Sequence, residues 1–145
     1  MIFLDIAGFT KITETASKQG RYGVELVTGI INRHYRATNR IISASGGEIF
    51  KFGGDSCLII FPDLGPDGLH TLRGVADSIT KQSAVFDKQF RALYGVSFAL
   101  HGGCCAGKIC VNILGDPAHH LDYYVDGAAI SRAYDLAEGQ LGINL

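Results

Sequence analysis

Apolar residues recur along this chain in two rhythms. "MIFLDI" is a short, almost unbroken apolar run, the pattern of a strand, and Asp5 sits at its end. Phe9, Ile12 and Ala16 then recur at helical spacing, with Thr10 placed to cap the start. "KQGRYG" breaks that helix. A longer one is predicted after it, with Val24, Val27, Ile30, Ile31, His34, Thr38, Ile41 and Ile42 on one face and "SASGG" at its end. "EIFKF" alternates, with Glu48, Phe50 and Phe52 on one side and Ile49 and Lys51 on the other. Gly53-Gly54 is predicted to turn this strand back into "DSCLIIF", whose continuous apolar run predicts burial on both faces.

"PDLGPDG" reads as a loop. Leu69, Leu72, Val75, Ile79, Phe86, Phe90 and Leu93 mark a third helix. "VSFAL" is a predicted strand, "GGCCAG" a turn-rich passage, "KICVNIL" a strand and "GDPAHHLD" a loop. "YYVDG" is extended, and "AAISRAYDLAEG" is a final helix stopped by Gly139. The closing "GINL" reads as the start of another strand. With the abrupt opening inside an apolar run, this predicts one domain over residues 1–145 that is a piece of a longer protein.

The order strand, helices, hairpin, helix, strands, helix predicts an α+β domain with a split β-α-β core and an antiparallel-rich sheet. In such a core a right-handed helical crossover makes the first strand and the first hairpin strand parallel. The second hairpin strand inserts between them, antiparallel to both. The end of "MIFLD" then lies beside the start of "DSCLIIF", and Asp5 and Asp55 become neighbours at one edge of the sheet.

Composition narrows the function classes. With 145 residues, 47% hydrophobic and 19% charged, the chain can bury a real core. A net charge of −1 gives no electrostatic case for a nucleic-acid polymer or an acidic membrane as main partner. No apolar run approaches the roughly 20 residues of a membrane span, and the start lacks a signal peptide's basic region and cleavage site. The four cysteines, Cys57, Cys104, Cys105 and Cys110, form no C-x-x-C pair and are expected to be reduced, mostly buried thiols of a cytoplasmic protein. Gly is abundant at 19 and Pro scarce at 3, which predicts tight turns rather than a flexible linker.

Two carboxylates at adjacent strand ends repel unless something positive lies between them. Mg²⁺ and Mn²⁺ are bound in this way, with a substrate phosphate completing the shell. The turn after Asp5 supplies a complement: the backbone N–H groups of Gly8, Phe9 and Thr10 open a helix, where unpaired donors and the dipole favour anions. Each part has a plainer reading. An Asp before a helix serves as a cap, and Gly-Gly-Asp as a hairpin turn. Lys51 is either a solvated edge charge or a group facing the same cleft. "GGCCAGKI", residues 102–109, matches the G-x-x-x-x-G-K part of a P-loop, but Ile109 stands where Ser or Thr should hold Mg²⁺, and no helix is predicted to follow. "HHLD", residues 119–122, reads as polar loop rather than metal cluster.

"FLDIAGFT", "GGEIFKFGGDSCLIIF" and "GDP…YYVDGAAISRA" resemble the catalytic domain of class III nucleotidyl cyclases, over nearly the whole chain. "GGEIFKFGGD" and "ILGDPAHHLDYYVDGAAI" are most similar to the first cyclase half of soluble, bicarbonate-responsive adenylyl cyclases. The resemblance implies a ferredoxin-like βαββαβ fold, here cut short at the C-terminal strands, working as a dimer with sites at the interface. It implies conversion of ATP, or GTP, to the 3′,5′-cyclic monophosphate and pyrophosphate with two Mg²⁺ or Mn²⁺ ions. The family's metal-binding aspartates match Asp5 and Asp55, and the metal-contacting carbonyl matches Ile6. The phosphate-holding amides match Gly8, Phe9 and Thr10, and the base-contacting lysine of the partner half matches Lys51.

The departures imply a division of labour. Active partner halves of the family carry Asn and Arg on the last helix, where this chain has Ser131 and Asp135, with Arg132 at the wrong position. The base-selecting acid falls on Tyr124. The chain therefore resembles a metal-donating half that needs a second, different cyclase domain; the alternative is a non-catalytic dimerisation or regulatory module. In the bicarbonate-responsive branch Lys51 would line the regulator's pocket, but the arginine expected there falls near Tyr134. A palm-type polymerase or diguanylate-forming domain shares the two-metal logic, yet would carry an acidic pair at the hairpin turn where this chain has Gly-Gly-Asp-Ser.

Overall fold

The structure, a computed structural model, describes residues 1–138 and 141–145. Its elements are β1 (Ile2–Ala7), α1 (Phe9–Ser17), α2 (Gly20–Ala44), β2 (Glu48–Gly53), β3 (Ser56–Ile60), α3 (Gly68–Tyr94), β4 (Ala99–Cys104), β5 (Cys110–Asp116), β6 (His120–Asp126), α4 (Ala128–Glu138) and β7 (Gly142–Asn144). The main sheet runs β2-β3-β1-β4-β7. Among the described residues only the β4–β7 pairing is parallel; β1 is antiparallel to both β3 and β4. β3 lies between β1 and β2, as the split β-α-β reading expected. β5 and β6 form a separate antiparallel ribbon.

The alternation along β1 decides what each sheet face does. Ile2, Leu4 and Ile6 are buried, while Phe3, Asp5 and Ala7 are half-buried. The buried set joins Val27, Ile30 and Ile42 of α2, Leu72, Ile79, Phe86 and Phe90 of α3, and Cys57 and Ile59 of β3 in one core. His34 of α2 is inside it, its ring 4.9 Å from Phe98 and 5.2 Å from Phe86, and burial holds its imidazole neutral, down to about 4. The opposite face is covered thinly. α4 buries Ala129, Ala133 and Ala137, and Ala129 and Ala133 make a small second cluster with Met1, Leu58, Phe3 and Phe50. No helix among the described residues is long and apolar enough to cross a membrane.

Several local expectations are corrected. Thr10 does not cap α1; Gly8 holds the N-cap position at φ +70°, with no side-chain cap. Gly53 pairs with Ser56, so the two-residue turn is Gly54-Asp55 rather than Gly53-Gly54. The turn needs a positive φ, which Gly54 supplies at +70°. β4 begins at Ala99 and absorbs Gly102, Gly103 and Cys104 from the passage read as turn-rich. Those glycines mark close approach, not reversal: a Cβ on Gly103 would lie 1.9 Å from the Ala133 carbonyl oxygen of α4. The "GDPAHHLD" loop shrinks to residues 117–119, because β5 runs to Asp116 and β6 starts at His120. Val24, Leu69 and Leu93 are exposed, as are Phe52 and Cys110, while Cys57 and Cys104 are buried. A register shift between Ile49 and Lys51 breaks the expected alternation of β2. The helix stop at Gly139 lies outside the described residues.

Candidate active site

β1 delivers Asp5 to the thinly covered face, directly opposite His101 of β4. The β2–β3 turn delivers Asp55. Their side chains come within hydrogen-bonding reach, and the consequence is visible in the Asp5 carboxyl, whose pKa is raised. Burial is the first cause and the Asp55 charge the second; the Ile6 backbone N–H and His101 pull the other way.

A second contact fixes the turn. The Tyr35 hydroxyl, on α2, donates to the Asp55 carbonyl at 2.5 Å. Burial, then Cys57, Asp55 and Asp5, push the phenol upward, so it stays a donor. The Tyr35 ring stands edge-on to Phe52 at 5.2 Å and to His34 at 5.5 Å. Cys57, next along β3, is pushed up to about 12 by burial and by Asp5.

β1 runs into α1 through Gly8, whose left-handed backbone turns the chain in one residue. No side chain caps α1, so the Phe9 and Thr10 amides open the helix without a side-chain acceptor; the Ile12 N–H already donates to the Gly8 carbonyl at 3.1 Å. Gly8 and Thr10 are exposed. The Phe9 amide lies four residues beyond Asp5 in the chain.

Two clefts open on this face. One, of about 320 Å³, is lined by Asp5, His101, Phe3, Tyr134 and Glu138 among others. The other, of about 280 Å³, holds Lys51, Ser56, Phe3, Tyr124 and Tyr134. Tyr134 packs on Phe3 with ring centroids 4.2 Å apart, and this pair is a wall of both clefts. Asp5, Ile6 and Asp55 thus come together, whereas Lys51 lies in the neighbouring cleft with its Nζ 3.5 Å from Asp122 Oδ1. Ser131 and Asp135 are exposed on α4, and Arg132 lines a different cleft beside Cys104 and Cys105.

Sequence reasoning missed His101 and Tyr35. His101 fell just past the expected end of "VSFAL", so its register against Asp5 was invisible. Tyr35 adjoins the apolar stripe of α2 without belonging to it, and only the folded turn gives its hydroxyl a partner.

Among the described residues no cluster of three or more His, Cys, Asp or Glu side chains forms. The donors at hand are two carboxylates and the Ile6 backbone, whose own side chain is buried. An all-oxygen, incomplete set fits Mg²⁺ or Mn²⁺, which retain waters and share a substrate's phosphates, better than it fits zinc.

No protein-family model matches the chain. Human adenylate cyclase type 10 is 28% identical over 132 residues, covering 90% of this chain and 8% of that protein. The chain therefore spans under a tenth of the curated relatives it matches. Among solved structures, the adenylyl cyclase CyaB from P. aeruginosa superposes with a TM-score of 0.75 at 22% identity, covering 98% of this chain and 72% of that one. The guanylyl cyclase Cya2 gives 0.73 at 21%, with 98% and 71% covered. The resemblance to class III cyclase catalytic domains is borne out: the sequence relatives are adenylate cyclases, and the fold is that of adenylyl and guanylyl cyclase domains.

Proposed function

We propose that this chain is a single cyclase domain, the metal-donating half of a dimer that converts ATP to 3′,5′-cyclic AMP and pyrophosphate in the cytoplasm. The observation that carries the reading is the meeting of Asp5 and Asp55 at one sheet edge, where burial and the Asp55 charge raise the pKa of the Asp5 carboxyl. Asp5, Asp55 and the Ile6 carbonyl would hold two Mg²⁺ or Mn²⁺ ions. When bound, such ions lower the pKa of a ribose 3′-hydroxyl and neutralise charge on the phosphates. The Gly8, Phe9 and Thr10 amides would take the phosphate oxygens, so the leaving pyrophosphate is held while the 3′-oxygen attacks the α-phosphorus and the bond to the β-phosphate breaks. Ser131 and Asp135 occupy the places where the family's partner halves carry Asn and Arg, and Arg132, the cation on α4, lines the different cleft beside Cys104 and Cys105.

A partner is supported by a second feature. One face of the β5–β6 ribbon presents Val111, Ile113, Leu121 and Tyr123, all exposed. Ile113 is 63% exposed, a poor use of an isoleucine unless another domain covers it. Lys51 and Tyr124 face the adjoining cleft, where a purine or a small regulator such as bicarbonate could sit. Whether the base is adenine or guanine depends on groups the partner contributes.

The same α4 residues favour a second reading, a non-catalytic cyclase-homology module. One experiment separates them. The chain is incubated with ATP or GTP and Mn²⁺, alone and with a cyclase half that carries the missing Asn and Arg, and cyclic nucleotide and pyrophosphate are measured. Turnover is expected only in the mixture, lost with Asp5→Asn or Asp55→Asn. Full activity in either variant refutes the metal-donating role; no turnover in any mixture supports the module.

A further inference from the structure

We infer that Tyr35 is a positioning residue that holds Asp55 in place for cation binding. The inference rests on the two-carboxylate reading above and adds a residue to it. Asp55 is the second residue of a two-residue turn whose first, Gly54, is the least restrained kind of residue. Such a turn defines the backbone poorly unless something outside the hairpin grips it. The Tyr35 hydroxyl is that grip: it reaches from α2, twenty residues earlier in the chain, to the carbonyl of Asp55 itself. Its ring is held by edge-on contacts to Phe52 on β2 and to buried His34 on α2. His34 is anchored in turn by Phe86 and Phe98. The long helix and the core thus fix a backbone atom of one acid, while the sheet fixes the other acid through β1. Metal sites tolerate little looseness in their ligands, and hydrogen bonds beyond the ligands set their orientation.

The test uses Tyr35→Phe, which deletes the hydroxyl and keeps the ring, in the whole 145-residue chain. Phe52→Leu is the comparison: it removes the ring contact and spares the hydroxyl. Two readouts are taken, amide hydrogen exchange at residues 54–56 without metal, and Mn²⁺ binding followed by the loss of the free-ion paramagnetic signal. Tyr35→Phe is expected to speed exchange at the turn and weaken Mn²⁺ binding about fivefold or more, the worth of one ordinary hydrogen bond. Phe52→Leu should lower the melting temperature while leaving Mn²⁺ affinity within about twofold. Unchanged turn exchange in Tyr35→Phe overturns the grip. Equal weakening of Mn²⁺ binding by both variants overturns it too, because packing alone would then account for the effect. A wild-type chain indifferent to Mn²⁺ overturns the carboxylate reading and the purpose assigned to Tyr35 with it, even where turn exchange responds.

Discussion

Replacing Gly103 with alanine should unseat the last helix. A Cβ at this position would lie 1.9 Å from the Ala133 carbonyl oxygen, 2.9 Å from its carbon and 2.8 Å from Leu136 Cβ. Ordinary carbon–oxygen contacts begin near about 3.3 Å, so α4 must rise from β4 by more than about 1 Å. It has nowhere to go cheaply. Ala129, Ala133 and Ala137 are buried against the sheet, Tyr134 packs tilted on Phe3, and Asn144 Nδ2 donates to the Leu136 carbonyl at 3.0 Å. Overpacking against backbone at a pinned helix costs about 3 kcal/mol, the upper part of the usual range. For a chain of this size that lowers the melting temperature by roughly 6–12 °C. Gly29→Ala and Gly74→Ala make the same chemical change in the interiors of α2 and α3, where nothing lies within 4 Å of the added carbon. Each should stabilise by about 0.5–1 kcal/mol through helix propensity and a stiffer unfolded chain. Thermal and urea melts followed by circular dichroism read all three. A Gly103→Ala protein within about 0.5 kcal/mol of wild type would refute the close approach of α4, and with it the common wall that Tyr134 gives the two clefts.

Two further predictions concern charge. His34, buried and neutral with its pKa lowered to about 4, binds fewer protons folded than unfolded, so stability should rise with pH between about 4 and 6.5. About 3 kcal/mol is lost on acidifying through that window; urea midpoints across it should fall steeply for wild type, and an equal slope in His34→Leu would sink the assignment. Asp5 has the opposite sign: its raised pKa means stability without metal falls as pH rises from 3.8 through its folded value. Asp5→Asn should therefore raise the metal-free melting temperature at pH 7 slightly, while removing any stabilisation by Mn²⁺; a lowered metal-free melting temperature would contradict the repulsion.

The site was legible where chemistry and topology coincided. Asp5 ends an apolar run, Asp55 follows two glycines, and the rule that a helical crossover makes two strands parallel places them together without any side-chain detail. The turn's true centre was not legible, because Gly53-Gly54 and Gly54-Asp55 are both good two-residue turns and only the register of Gly53 with Ser56 chooses between them. The same limit hid the length of β4. Local propensity reads "GGC" as a turn, but the Ala-rich face of α4 needs a strand with no side chain beneath it, a tertiary demand that sequence-local rules do not contain. Tyr35 was hidden for a related reason: its partner is a backbone carbonyl, which leaves no mark in composition or spacing.

The charges at the site set an order for binding under the proposed reading. The amides at the start of α1 amount to roughly half a positive charge. Against this stand two neighbouring carboxyl groups, Asp5 and Asp55, and the pKa of the Asp5 carboxyl is already raised by burial and by the Asp55 charge. A bare triphosphate therefore meets net repulsion at this edge, and the helix start alone cannot reverse it. A divalent ion reverses it at once, since two carboxylates already short of positive charge gain most from the first cation to arrive. Nucleotide affinity should accordingly depend on metal far more steeply than a phosphate-binding helix by itself would allow. The glycine turn then acts as a guide for phosphates that the metal has made welcome, rather than as the source of their affinity.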